Sequence, residues 1–257
     1  MRSSLIRLLN GVPAPVAGRF NSTGRPARFA RPFLNRFLTS EGTPITVRSG
    51  PAKGIKLLIN PRVEKYYWTG TYELGVQEQL TELLRVGCTF WDVGAHVGFF
   101  TLLASRFVGE SGHVHAFEPL EANRARLQMA LELNDARNVT VHDCAVAADS
   151  GERTLHSHEA STMWTLVPEM GRPDGVTVEC RELDELAHDF GPPDVLKIDV
   201  EGAEVDALRG GVELFKGRRP ALLVEFSDDA ARAEARELLP AYTFRRLGDW
   251  QWLLSPT

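Results

Sequence analysis

A chain of 257 residues, 43% hydrophobic and 25% charged, can bury one full core and reads as an ordinary globular protein. A net charge of −5 argues against nucleic acid as the main partner, and no apolar run reaches the ~18 residues of a membrane-spanning helix. The three cysteines, Cys88, Cys144 and Cys180, are odd in number and far apart, which fits reduced thiols in a cytoplasm and not a disulfide framework or a zinc site.

Residues 1–44 form an arginine-rich arm. Arg2, Arg7, Arg19, Arg25, Arg28, Arg31 and Arg36 stand in its first forty residues with no acid among them. The plain expectation is a loosely docked arm; a peripheral contact with a membrane surface or an acidic partner is the sharper one, and the composition also suits a targeting segment. Arginine outweighs lysine along the whole chain, as in a GC-rich bacterial genome. Residues 45–60 alternate polar and apolar around Gly50-Pro51 and Gly54, which predicts a small hairpin. After the aromatic run Tyr66-Tyr67-Trp68, leucines at 74, 80, 83 and 84 predict a covering helix over 73–86, ended by Gly87. Hairpin and helix together make a unit over 45–88.

From residue 89 strands and helices alternate: strand 89–93, helix 98–107, strand 113–117, helix 121–134, strand 138–146. Further on come strand 197–199, helix 202–209, strand 221–226, helix 229–239, and a closing pair 242–247 and 250–254 joined by Gly248-Asp249. This alternation predicts an α/β fold over 89–257, a doubly wound and mostly parallel sheet, with the terminal hairpin adding one antiparallel strand. Residues 150–181 interrupt it: turn signals at Ser150-Gly151 and 171–175 flank a short strand over 153–158. That insert is expected to project from a sheet edge beside the ligand rim. His156 and His158 share one face of its strand and are expected to face solvent.

The most informative stretch is 89–119. An apolar strand ends on Asp92, a turn Gly94-Ala95-His96-Val97-Gly98 follows, then a helix, then a second strand ending on Glu118-Pro119. Glycine lets the backbone turn sharply and lets a ligand approach the main chain. Glu118, 20 residues past Gly98, can accept from both hydroxyls of a ribose. A dinucleotide turn carries three glycines, G-x-G-x-x-G, to cradle a pyrophosphate. Here the pattern is G-x-x-x-G with an acid two residues ahead, which suits a phosphate-free ligand bearing an ammonium and a sulfonium. S-adenosylmethionine is such a ligand and NAD is not.

These segments resemble the FkbM family of S-adenosylmethionine-dependent methyltransferases over 68–257. The resemblance is carried by Gly70-Thr71-Tyr72-Glu73, by the run from Trp91 to Gly98, by Val114 to Pro119, by Leu183-Asp184, by K-I-D-V-E-G-A-E from Lys197 to Glu204, and by Pro220 to Glu225. Two positions depart from the family pattern: His96 and Ala130 stand where it usually or often has Asn. The resemblance implies a Rossmann-like class I methyltransferase with an N-terminal extension. It implies that Glu118 holds the ribose, that Asp143 and Cys144 border the adenine, and that Asp92, Gly94, His96 and Gly98 line the methionine end. Glu73, Ala95, Pro119 and Asp199 join the cofactor set by the same motifs. The insert then becomes a lid on the acceptor site.

Five acids, Asp92, Glu118, Asp143, Asp199 and Glu225, fall at or near predicted strand ends, and loops at that rim share one cleft. Methyl transfer to a hydroxyl needs alignment, exclusion of water and a base near the oxygen. Asp199, Glu201 and Glu225 are the catalytic candidates, with Asp199 first and Glu201 its neighbour. Lys197 shares a strand face with Asp199 and is expected to pair with a carboxylate. The acids allow a divalent metal such as magnesium, but no spacing demands one. The leading expectation is O-methylation of a small hydroxylated acceptor, a sugar, glycolipid or natural product. The rival readings are a non-catalytic subunit that kept the fold, favoured by His96, and an NAD-dependent oxidoreductase, disfavoured by the glycine count and the missing Tyr-x-x-x-Lys pair. The oligomeric state stays open, a homodimer among the options.

Overall fold

The computed structural model describes residues 42–61, 63–157, 164–167 and 175–257; the arm up to residue 41 and His158 lie outside them. The expected hairpin is present: β1 (Thr43–Thr46) pairs antiparallel with β2 (Lys56–Ile59), Thr43 opposite Ile59. A single helical turn, α1 (Tyr66–Thr69), and the covering helix α2 (Leu74–Leu83) follow. Helix α2 stops earlier than Gly87, because Leu84 turns to an extended conformation and is buried.

Then come β3 (Thr89–Val93), α3 (Phe99–Val108), β4 (His113–Phe117), α4 (Glu121–Leu133) and β5 (Val139–His142). The predicted strand 138–146 breaks at Asp143. Its second part, β6 (Cys144–Val146), leaves the main sheet and pairs in parallel with β9 (Gly175–Arg181). With β7 (Gly151–Ser157) and β8 (Trp164–Thr165) these make a second sheet in the order β6-β9-β7-β8. The chain continues through α5 (Leu183–Phe190), β10 (Val195–Ile198), α6 (Glu204–Arg209), α7 (Val212–Gly217), β11 (Ala221–Glu225), α8 (Asp229–Leu238), β12 (Tyr242–Arg246) and β13 (Gln251–Pro256).

The main sheet has seven strands in the order β12-β13-β11-β10-β3-β4-β5. All pairs from β11 to β5 are parallel, and β13 runs antiparallel to both of its neighbours. Both faces are covered, so the central strands are buried on both sides, mostly by apolar residues, with Asp92, His115 and Lys197 as buried polar exceptions. Phe90 packs into a core with α2, α3, α4 and the β1–β2 hairpin; Trp91 and Val93 pack into a second core with α5 to α8. Helix α3 is apolar nearly all round, eight of its ten residues being buried, as a helix between sheet and outer layer must be. Strand order reverses between β3 and β10, which opens a crevice at the carboxyl ends of these two strands. Among the described residues no helix is long and apolar enough to cross a membrane.

Candidate active site

The turn after β3 builds the floor of the crevice. The main-chain N–H groups of Gly94 and Ala95 both donate to the Phe117 carbonyl at 3.1 Å, tying β3 to β4. Gly94 has φ +82°, and a Cβ there would lie 1.9 Å from the Asp199 carbonyl oxygen, so only glycine lets β3 and β10 meet this closely. Gly98 serves packing: it caps α3, and a Cβ would strike Leu127 of α4 at 2.2 Å.

Glu118 leaves the tip of β4 and is buried in the crevice wall. Its Oε2 accepts the His96 N–H at 2.8 Å; its Oε1 accepts the Leu120 N–H at 3.0 Å and the Asn123 amide at 3.2 Å. Three donors occupy three of about four acceptor positions, which leaves Oε2 free for a further donor. An aromatic wall of Tyr66, Tyr67, Tyr72, Phe99 and Phe100 faces this carboxylate across the crevice floor. Cys144 borders the crevice, and the insert brings Leu155, Trp164 and Leu166 onto its outer wall.

The far end of the crevice is acidic. The Lys197 ammonium, almost fully buried, donates to Asp199 Oδ2 at 2.9 Å and sits 5.0 Å from the centre of the Phe100 ring. This is the expected pairing. Oxygens of Glu73, Asp199 and Glu225 lie within 4.8 Å of one another, and Glu225 also accepts from Gln251 at 2.5 Å. Burial, then the Asp199 charge, pushes Glu73 up to about 8. Burial followed by the charges of Asp199 and Glu225 does the same to Glu201, also to about 8. Glu225 is raised for the same two leading reasons, burial and Asp199. Burial alone would lower Lys197, but the charges of Asp199, Asp92 and Glu73 outweigh it and hold the lysine protonated. Each of the three acids could offer one oxygen to a divalent ion, and the Lys197 ammonium supplies a single positive charge to the same cluster.

Glu201 reaches the crevice from a backbone at φ +54°, a conformation that costs a residue with a Cβ roughly 1–3 kcal/mol. The turn is held by Glu204, whose Oε1 accepts the N–H groups of Val200 at 3.1 Å and Gly202 at 2.9 Å. The predicted helix 202–209 therefore starts two residues late, at Glu204.

Of the residues singled out from the sequence, Gly94, Ala95, His96, Glu118, Pro119, Cys144, Asp199 and Glu201 line the crevice. Glu73 and Glu225 line a small adjoining pocket that shares Lys197 and Asp199. Asp92, Gly98 and Asp143 are not on the wall. Asp92 is buried beneath the turn, where its Oδ2 accepts from Thr101 at 2.6 Å and its Oδ1 has no partner; burial raises its pKa, and Lys197 opposes this. Asp143 is exposed at the break between β5 and β6, since the chain turns there to leave the sheet. Sequence reasoning gave no role to Glu64, Asn123, Arg126 or Trp164. The aromatic run 66–68 and the motif ending on Glu73 were the hints that the segment ahead of the sheet enters the site.

Residues 92–246 match the family model described as the methyltransferase FkbM domain. The chain is 28% identical over 141 residues to Methyltransferase 1 of Beauveria bassiana, covering 46% of this chain and 56% of the relative. It is 28% identical over 152 residues to Methyltransferase sdnD of Sordaria araneosa, covering 46% and 58%. The chain thus spans little more than half the length of these curated relatives. Among solved structures it is similar to methyltransferase FkbM from Methylobacillus flagellatus, with a TM-score of 0.48, 18% identity, and coverage of 89% of this chain and 59% of that one.

Proposed function

Because the chain belongs to the FkbM methyltransferase family, we propose that it binds S-adenosylmethionine in the crevice at the β3–β10 reversal and methylates a hydroxyl of a small molecule such as a sugar, glycolipid or natural product. One observation carries this reading: a single crevice joins a carboxylate with an open acceptor position, Glu118, to the buried Lys197–Asp199 pair. Glu118 would take the ribose hydroxyls. Gly94 and Ala95, on the crevice wall, would border the ligand, and Cys144 borders the nucleobase end.

Bound there, the cofactor supplies a methyl group on a sulfonium, which leaves without acid assistance. The protein's own work is alignment, desolvation and removal of one proton. The aromatic wall excludes water and offers ring faces to a cation. Asp199 would accept the proton that the acceptor hydroxyl gives up when its oxygen displaces the sulfide from the methyl carbon. Lys197 holds that carboxylate in place. Glu225, with an oxygen within 4.8 Å of Asp199, would receive the proton next, and Glu201 lies in the same electrostatic field. The insert, through Trp164 and Leu166, acts as the acceptor lid.

The test is methyl transfer from labelled S-adenosylmethionine to a panel of glycosides and hydroxylated natural products, with the methylated atom identified by NMR. Label on an oxygen, lost in Asp199→Asn, supports the reading. Label found only on nitrogen or carbon, or undiminished in Asp199→Asn, refutes it.

A further inference from the structure

Glu64 precedes the sheet, stands outside the stretch that matches the family model, and has 0% of its surface exposed. An unneutralised carboxylate buried to that degree would be very costly. The structure neutralises it fully. Arg126 of α4 donates through Nη1 to Oε1 at 2.9 Å and to Oε2 at 2.8 Å, and the Asn60 N–H donates to Oε2 at 2.6 Å. His96 Nε2 lies 3.4 Å from Oε1. Burial would raise the Glu64 pKa, but His96 and then Arg126 more than offset it and hold the carboxyl below its usual range.

Two arms lead from this ion pair to Glu118. In the first, Arg126 Nη2 donates to Asn123 Oδ1 at 2.8 Å, and Asn123 Nδ2 donates to Glu118 Oε1 at 3.2 Å. In the second, the His96 ring faces Glu64 while its main-chain N–H donates to Glu118 Oε2 at 2.8 Å. The circuit closes on itself: Glu64, Arg126, Asn123, Glu118, His96. An ionised carboxylate only accepts, so the His96 nitrogen facing Glu64 carries the hydrogen, and on the other side of the ring Nδ1 meets the Tyr67 hydroxyl at 3.1 Å. The same ring therefore also fixes one member of the aromatic wall. His96 holds φ +50°, which histidine tolerates better than most residues but still at a cost.

We propose that Glu64 and Arg126 are positioning residues for the cofactor: through this circuit they fix both oxygens of Glu118, and the Tyr67 ring, in their binding geometry before the ligand arrives. The inference rests on the reading of Glu118 as the ribose acceptor. Its physical advantage is preorganisation, since a carboxylate already held at both oxygens loses little freedom on binding. A plain structural ion pair tying the N-terminal unit to α4 would stabilise the fold but carry no information about the ribose.

Calorimetric titration separates the two. Wild type, Glu64→Gln, His96→Asn and the double variant Glu64→Met with Arg126→Met are titrated with S-adenosylhomocysteine and with its 2′-deoxy analogue. The double variant removes both charges together and keeps apolar volume, so it carries the test where Glu64→Gln does not fold. Wild type is expected to prefer the ribose ligand about tenfold or more, and the variants to bring that preference to within about twofold, as loss of a charged hydrogen bond implies. In turnover, the KM for S-adenosylmethionine rises by a larger factor than kcat falls. A folded variant with reduced thermal stability and an intact ribose preference overturns the positioning role and leaves the ribose reading standing. A wild type without ribose preference overturns the ribose reading itself, and the circuit's role with it.

Discussion

Glu118 and Glu225 both stand at the carboxyl ends of parallel strands, yet their surroundings are opposite. Around Glu118 the acids are matched by donors: three reach its carboxylate, and both oxygens of Glu64 accept from Arg126 Nη1. Around Glu225 acids are crowded with too little positive charge. Glu73, Asp199 and Glu225 share the one ammonium of Lys197, and Glu201 adds a further acid to the same field. Burial and mutual repulsion raise Glu73 and Glu201 to about 8. On the proposed reading, the half that binds is satisfied, while in the half assigned to proton removal burial and neighbouring charge hold Glu73 and Glu201 protonated up to about pH 8, beside the Lys197-paired Asp199.

Substitutions can break this contrast from either side. The largest effect is expected at the seam between the halves. In Gly94→Val the added Cβ meets the Asp199 carbonyl and is forced into a left-handed backbone, so cofactor binding and methyl transfer should both vanish and the melting temperature should fall. Calorimetry and thermal unfolding check this. Next is Lys197→Met, which strips the acid cluster of its buried cation. Breaking such a pair costs about 3–5 kcal/mol, read by urea unfolding. Asp199→Asn should lower turnover by about 10²–10⁴-fold with little change in cofactor affinity, a split that places the residue in the proton-moving half.

A smaller effect sharpens the same comparison through pH. Folded Glu73 and Glu201 take up protons near pH 8, whereas in the unfolded chain they would do so near the ordinary value of 4.5. Between those limits the folded protein binds more protons than the unfolded one. Their contribution to stability is therefore fully present below about pH 4.5 and is lost as pH rises through about 8, levelling beyond it. Glu73→Gln should flatten that decline in urea melts at acid, neutral and alkaline pH. The smallest effect is expected for Asp143→Asn. Its exposed side chain is off the crevice wall, so cofactor affinity should change by less than about twofold.

The central strands were legible because both faces of each are buried. Phe90-Trp91 is an apolar run that ends on Asp92, and Val114 to Phe117, apolar apart from His115, ends on Glu118. The rim acids followed from those ends, and the glycine turn between them needed no tertiary information. The break at Asp143 was not legible: residues 138–146 read as one extended run, and what divides them is that Val146 and its neighbours pair with β9, more than thirty positions later. Helix α7 is six residues long and depends on a distant cap, the Asp184 carboxylate accepting the N–H groups of Glu213 at 3.0 Å and Leu214 at 2.7 Å. Glu64 was invisible for a related reason. A lone acid between Val63 and Lys65 reads as surface, and only the folding of α4 across it, 62 positions away, turns it into a buried ion pair.

The central claim is that the crevice between Glu118 and Asp199 holds S-adenosylmethionine. It is tested most directly by titrating that compound, and NAD in parallel, into wild-type protein and Glu118→Ala. The account expects saturable binding of S-adenosylmethionine to wild type, weakened about tenfold or more in Glu118→Ala, and no binding of NAD. Equal affinity of the two proteins for S-adenosylmethionine, or tighter binding of NAD, would contradict it.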